Sequence, residues 1–353
     1  MKNVHNVLHE RFKLQYEYLG EEKIVNKITP LVSVVVATYR HARFIAQCLD
    51  GIVNQVTKFP IEVIVGEDGS DDGTTELCIQ YAEKYPNLIR LFIRDRSLSQ
   101  YRSAEGNVIR FNGVWNRMSA RGKYIAMCEG DDYWIDPLKL QKQVDFLEAN
   151  PEYGMCYTNF NIYRQDSGKM EYDVFTSRNR DFPIRYNTPE EFVLRKGYVC
   201  PPSWVFRKEC LPPEDQNIKS LDGTFVMFTH FLCTTKVYGM DDTTAVYRVL
   251  SESASHSMDY SKMYVRAKNL LETQYKLIDY YGLNPKIKKQ CEIDFYKENL
   301  VQFVLHNRKD DIKQAKKVLA GYCGRREKIL FLLSSIYGGR LLLKCVYNIY
   351  KSR

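Results

Sequence analysis

Leu31-Val32-Ser33-Val34-Val35-Val36-Ala37-Thr38-Tyr39-Arg40 is the stretch that decides the fold. Its apolar residues fall at adjacent positions, not alternate ones, so neither face can meet water. A short β-branched run of this kind reads as a parallel strand buried on both sides. Downstream, a helix-compatible segment places Phe44, Ile45, Cys48, Leu49, Ile52 and Val53 on one face. Ile61-Glu62-Val63-Ile64-Val65 reads as a second strand, residues 75–85 as a helix, and Leu88-Ile89-Arg90-Leu91-Phe92 as a third strand. A helix near 108–120 and a strand at 123–128 follow. Strand and helix alternate, which predicts an α/β fold: right-handed βαβ units building a mostly parallel sheet flanked by helices.

Ligands of such sheets sit outside the carboxyl ends of the strands. The first strand ends in Thr38-Tyr39-Arg40, and the second in Gly66-Glu67-Asp68-Gly69-Ser70-Asp71-Asp72-Gly73-Thr74. The strand at 123–128 ends in Glu129-Gly130-Asp131-Asp132-Tyr133-Trp134. All three ends are polar and mostly acidic, so they would converge on one crevice. Adjacent carboxylates repel unless a cation or hydrogen-bond donors hold them. A hard divalent ion shared with a substrate diphosphate would suit Asp131 and Asp132. A solvated turn leading to the Asp136-Pro137 helix start is the other reading.

The formal net charge of +8 is unevenly spread. From Asn307 onward there are 12 Lys/Arg against 3 Asp/Glu, which leaves the rest of the chain near neutrality. The main body is therefore no polyanion surface, and nucleic acid is not an expected partner. Ten cysteines form no C-x-x-C pair and several sit in apolar runs, which predicts reduced core thiols in a cytoplasmic protein. Residues 1–30 lack a secretory apolar core, and no run of 18 apolar residues predicts a spanning helix. No G-x-G-x-x-G, P-loop or G-x-S-x-G pattern accompanies the strands.

Leu31–Arg40, Val65–Thr74 (VGEDGSDDGT), Arg121–Trp134 (RGKYIAMCEGDDYW) and Ala245–Arg248 (AVYR) occur together in this order. In order and spacing the chain resembles an inverting glycosyltransferase of family 2, with the GT-A fold, over residues 30–257. The resemblance implies that Thr38 and Tyr39 contact the nucleotide base, and that Glu67 and Asp68 bind base and ribose. Glu67 stands where the family usually has Asp. Asp131 and Asp132 match the D-x-D element, with Asp132 holding Mn2+ or Mg2+ and Asp131 serving ribose or a metal-bound water. His256 lies where related enzymes carry a histidine near the diphosphate or metal. Asp222, ahead of the apolar run Phe225–Leu232, is the candidate general base, or else a helix N-cap. Arg248 could pair with phosphate or, the favoured reading, brace the sheet with a carboxylate, and Trp134 and Trp204 either stack on a sugar or fill the core.

The implied reaction moves a sugar from a nucleotide-diphosphate donor, expected to be a UDP-sugar, to a glycan or lipid-linked acceptor. The setting would be envelope polysaccharide or lipopolysaccharide synthesis. The expected layout is an extension at 1–29 with a helix around Val7–Tyr18, a catalytic domain at 30–257, and a helical region at 258–353. Further strands are expected at Tyr153–Phe160, Cys200–Arg207 and Asp242–Val249. Helices are expected at Tyr260–Tyr281, Pro285–Leu305, Asp310–Tyr322 and Ile329–Tyr350. Residues 325–353 alternate basic and apolar groups, which fits peripheral contact with the inner face of the cytoplasmic membrane. The same pattern fits a helix that caps the protein. A non-catalytic nucleotide-sugar or glycan-binding protein on this scaffold is the alternative; a nucleotidyltransferase lacks its G-x-G-T-R loop here.

Overall fold

The computed structural model describes residues 4–20, 23–102, 108–177, 185–186, 188–213, 218, 220–250 and 259–351. The chain divides into two compact units. The first comprises Met1–Thr188, Gly197–Asn217 and Gly223–Ser257; the second comprises Pro189–Lys196, Ile218–Asp222 and Met258–Arg353. The layout expected from sequence differs in two places. Residues 1–29 go with the first unit, and two short segments from within 30–257 go with the second.

The first unit is built on β1 (Tyr16–Glu17), β2 (Val32–Thr38), β3 (Ile61–Glu67), β4 (Ile89–Ile93), β5 (Gln100–Arg102) and β6 (Val108–Arg110). It continues with β7 (Tyr124–Met127), β8 (Tyr133–Trp134), β9 (Tyr153–Arg164), β10 (Lys169–Glu171), β11 (Trp204–Arg207) and β12 (Lys236–Val249). The main sheet runs β1-β4-β3-β2-β7-β11-β9-β12-β8, with β10 beside β9; β5 and β6 pair separately. The long pairings are parallel: β2 with β3, β2 with β7, β3 with β4, and β9 with β12. The antiparallel pairings are short.

β2 is buried almost throughout, as its β-branched run requires. From β2 the chain proceeds outward to β3 and β4, then returns to place β7 on the other flank of β2. The strand order thus reverses between β2 and β7, and a crevice opens at their carboxyl ends. Helix Ile45–Val53 buries Ile45, Cys48, Leu49 and Ile52, so the periodicity predicted for it holds.

The amino-terminal residues depart from the helix expected around Val7–Tyr18. Their helix is Val4–Phe12, and the chain then turns to form β1 at the sheet edge beside β4. Val7 packs against Phe111 and Trp115. Glu17 pairs with Arg90 at 2.8 Å, and the buried Lys23 ammonium donates to the Ile89 carbonyl at 3.0 Å. An edge strand with two residues carries no periodic signal, so only its partner reveals it.

At the amino end of the sheet, Glu62 is fully buried and accepts from Ser33 Oγ (2.6 Å), Arg121 N (2.8 Å) and Arg121 Nε (2.9 Å). Arg90 adds a longer contact at 3.3 Å. Burial alone would push this carboxyl up; the hydrogen bonds from Ser33 and Arg121 outweigh it and hold it below the usual range. All ten cysteines are free thiols, six of them buried.

In the second unit, helices Tyr260–Tyr281, Lys286–Leu305, Lys309–Val318, Arg325–Ser335 and Gly339–Lys351 enclose a core around Leu300, Phe303, Val304, Ala315 and Leu319. The single helix expected at 329–350 is two helices. They break at Gly338, whose φ of +78° suits glycine and not an L side chain. No helix among the described residues is long and apolar enough to cross a membrane.

Candidate active site

The carboxyl ends of β2, β3 and β7 bring Thr38, Tyr39, Glu67, Asp68, Asp131 and Asp132 to one edge of the first unit. Register fixes this: Thr38 pairs with Glu67, Asp68 N donates to the Thr38 carbonyl at 3.1 Å, and Gly130 N donates to the Ala37 carbonyl at 3.0 Å.

Two loops clasp each other above β2 and β3. Arg40 takes a left-handed φ of +55°, which turns the chain so that its N–H reaches Ser70 Oγ at 2.8 Å. His41 N donates to Thr74 Oγ1 (2.8 Å) and Ala42 N to Asp72 Oδ2 (3.1 Å). Glu67 turns inward and braces the same loop. Its oxygens accept from Gly69 N (3.1 Å), Ser70 N (2.9 Å) and Thr75 Oγ1 (2.9 Å).

Asp68 is buried and engaged on both oxygens. Ser99 Oγ donates to one, and Arg96 pairs with the other at 2.7 Å. Burial raises this carboxyl above its ordinary value, more than Ser99 and Arg96 lower it. The Arg96 guanidinium also lies 3.3 Å from the centre of the Tyr39 ring. A flat cation stacked on Tyr39 and bonded to Asp68 fills the place expected for a planar base. Arg96 lies in a short turn with no motif to mark it, and sequence reading did not single it out.

The acidic turn after β7 is locked by Arg248 from β12. Arg248 N donates to Asp132 Oδ1 at 2.7 Å, and its Nε to the Asp131 carbonyl at 2.7 Å. Its remaining nitrogens hold Gln165 and Gln47, each at 2.7 Å. The guanidinium thus braces backbone and amides and neutralises neither carboxylate. No ion pair to Asp131 or Asp132 is found among the described residues. Burial, then the charges of Asp131 and Glu129, push Asp132 well above its ordinary value. Burial and Asp131 push Glu129 up to about 7, although its side chain keeps some exposure. A pair of hard oxygen ligands without an ion-pair partner is of the kind that suits a hard divalent ion. No cluster of three or more His, Cys, Asp or Glu ligands occurs among the described residues.

Gly130 fits only because it lacks a side chain. A Cβ there would lie 2.7 Å from Thr38 Oγ1 and 2.8 Å from His41 Nδ1. Both of those atoms are buried without a hydrogen-bond partner among the described residues. Buried polar atoms are nearly always paired, so these two call for a further polar partner, an ordered water or a group of a ligand. No spacing rule points to His41 in the sequence either.

The remaining expected residues fall elsewhere. Asp222 belongs to the second unit, where Arg266 approaches it at 3.5 Å and its N–H donates to Ser220 Oγ at 3.0 Å. His256 lies outside the described residues. Trp134 and Trp204 are both core: Trp134 Nε1 donates to the Pro202 carbonyl, and Trp204 packs on Phe228 and Phe231.

A sequence profile described as Glycosyl transferase family 2 matches residues 33–211, just over half of the chain. The chain belongs to glycosyl transferase family 2. This family member is 31% identical over 229 residues to Uncharacterized protein Rv1520 of Mycobacterium tuberculosis, covering 64% of this chain and 61% of that one. It therefore spans about three fifths of the length of such relatives. The Uncharacterized glycosyltransferase EpsJ of Bacillus subtilis is 22% identical over 312 residues, covering 83% and 84%. In fold, the family-2 chain is similar to S. aureus TarS 1-349 solved with UDP-GlcNAc, at TM-score 0.50 and 15% identity, over 86% of this chain and 79% of that one. The GT-A architecture and the family expected from the four motifs are thereby established.

Proposed function

We propose that the protein transfers a sugar, with inversion, from a nucleotide-diphosphate sugar to a hydroxyl of a glycan or lipid-linked acceptor in bacterial envelope polysaccharide or lipopolysaccharide synthesis. One observation carries this reading. Tyr39, Asp68 and the unneutralised Asp131–Asp132 pair gather at the switch point of the sheet, with the orphaned Thr38 Oγ1 beside them. Tyr39 would stack on the base, Asp68 would accept from base or ribose, and Glu67 would act through the loop it braces. TarS, similar in fold, is solved with UDP-GlcNAc, which makes a UDP-sugar the first donor to try.

Asp131 and Asp132 would hold Mn2+ or Mg2+, whose chemistry is to take up charge on the departing diphosphate. Asp222 would accept the proton of the acceptor hydroxyl as its oxygen bonds to the anomeric carbon. The bond from that carbon to the diphosphate oxygen breaks in the same displacement, so configuration inverts without a covalent enzyme intermediate. A lipid-linked acceptor would place the work at the inner face of the cytoplasmic membrane.

Isothermal titration with a panel of nucleoside diphosphates, with and without Mn2+, tests the donor site. Metal-dependent binding of one nucleotide is the expected result. Nucleotide binding without transfer to any acceptor would favour the non-catalytic binding protein, and no binding of any nucleotide would defeat the donor-site reading.

A further inference from the structure

Helices Arg325–Ser335 and Gly339–Lys351 are held to the second unit by few side chains. Leu330 is buried in its core, Phe331 and Leu343 lie against it, and Arg340 Nε caps the Leu305 carbonyl at 2.7 Å. Much of the remaining apolar surface of this pair faces solvent. Ile329 is 56% exposed, Leu332 61%, Leu341 69%, Leu342 58%, and Tyr337 in the connection is fully exposed. Ile336 is also exposed. Ile329 and Leu332 stand at i, i+3 on one face of the first helix, and Ile336 follows at its carboxyl-terminal cap. Six of the twenty large apolar side chains exposed among the described residues thus fall within fourteen positions. Scattered exposed apolar residues need no explanation, but a concentration of this kind marks an interaction surface.

Its charges say what the surface meets. Arg325, Arg326, Lys328, Arg340 and Lys344 are all exposed. The single acid of the two helices, Glu327, is buried and caps the first helix by accepting from Gly324 N at 2.8 Å. A second copy of this chain would bring five like charges against five. A nucleic acid would leave the leucines and isoleucines in water. A lipid surface with anionic headgroups satisfies both groups: apolar chains enter the headgroup boundary, the tyrosine sits at it, and basic side chains reach outward to the headgroups.

We propose that Arg325–Ser335, Gly339–Lys351 and the Tyr337 turn between them form a peripheral docking surface for an anionic lipid bilayer. The surface lies wholly within the second unit and does not depend on the donor-site reading. It engages one leaflet.

The test is co-sedimentation of the full chain with phosphatidylcholine vesicles, with and without phosphatidylglycerol. Partition into anionic vesicles that falls as salt rises is expected. The triple variant Tyr337→Ser/Leu341→Ser/Leu342→Ser should lose about tenfold in partition with an unchanged melting temperature, because its side chains contact solvent. Arg325→Gln/Arg326→Gln/Lys328→Gln should remove most of the preference for anionic lipid. As an independent readout, the indole emission of a Tyr337→Trp variant should shift to the blue on anionic vesicles only. A folded wild-type protein that stays in the supernatant overturns the proposal, as does equal partition of the triple variant or an unshifted emission from Tyr337→Trp. Self-association abolished by the triple variant, without vesicle binding, would assign the face to a second copy instead.

Discussion

Arg96 is the residue whose position most constrains the proposed donor site. Its guanidinium stacks on Tyr39 and pairs with Asp68, so under the proposed function a base would have to displace it before using either group. An internal competitor lowers apparent affinity by the fraction of time it holds the site. A partly exposed cation–π contact is worth about 1 kcal/mol, roughly a fivefold effect on an equilibrium. Arg96→Ala is accordingly expected to raise UDP affinity about fivefold in isothermal titration; a drop would show that Arg96 itself contacts the nucleotide. Gly130 makes the converse case. Gly130→Ala forces a methyl into the space beside Thr38 Oγ1 and His41 Nδ1, and the acidic turn must shift to admit it. Metal-dependent nucleotide binding should weaken at least about tenfold, while thermal unfolding shows a modest loss of stability. Neither residue could be singled out in the sequence, because each matters through atoms that only the folded loops bring near.

At the scale of elements, Glu62 ties β2, β3 and the approach to β7 together. Its carboxyl is held low by Ser33 and Arg121 against the upward pull of burial. A carboxyl with a depressed folded pKa contributes stability above its unfolded value and loses it as pH falls through the folded one. Glu62→Gln should therefore lower stability by on the order of 2 kcal/mol near neutral pH. The gap in melting temperature between wild type and variant should close below about pH 4. An unchanging gap down to strong acid would rule out this linkage. The same scale shows why some elements were legible and others were not. The β-branched run at 32–38 and the apolar face at 45–53 signal themselves by composition and period. β1 is two residues defined only by β4, and the helix predicted at 329–350 was broken by a backbone angle at Gly338 that periodicity does not sense.

For the whole molecule, the assignment of roles to the two units is the point to test. Asp131 and Asp132, the carboxylates proposed for the donor site, are in the first unit, whereas Asp222 is in the second beside Arg266. Asp132→Ala should abolish metal-dependent nucleotide binding. Asp222→Asn should leave that binding unchanged and cut turnover by about a thousandfold, the range of a lost general base. Normal turnover in Asp222→Asn would assign the proton to another group. The α/β class, the family and the convergence of three strand ends were all legible in the chain before folding, because strand burial and strand-end position are properties of local pattern and order. Only the folded protein shows that Arg96 lies over Tyr39 and pairs with Asp68, that Arg248 grips the acidic turn without an ion pair to it, and that both Trp134 and Trp204 are core. Those outcomes depend on which side chains distant in the chain share one small volume, and neither composition nor spacing encodes that.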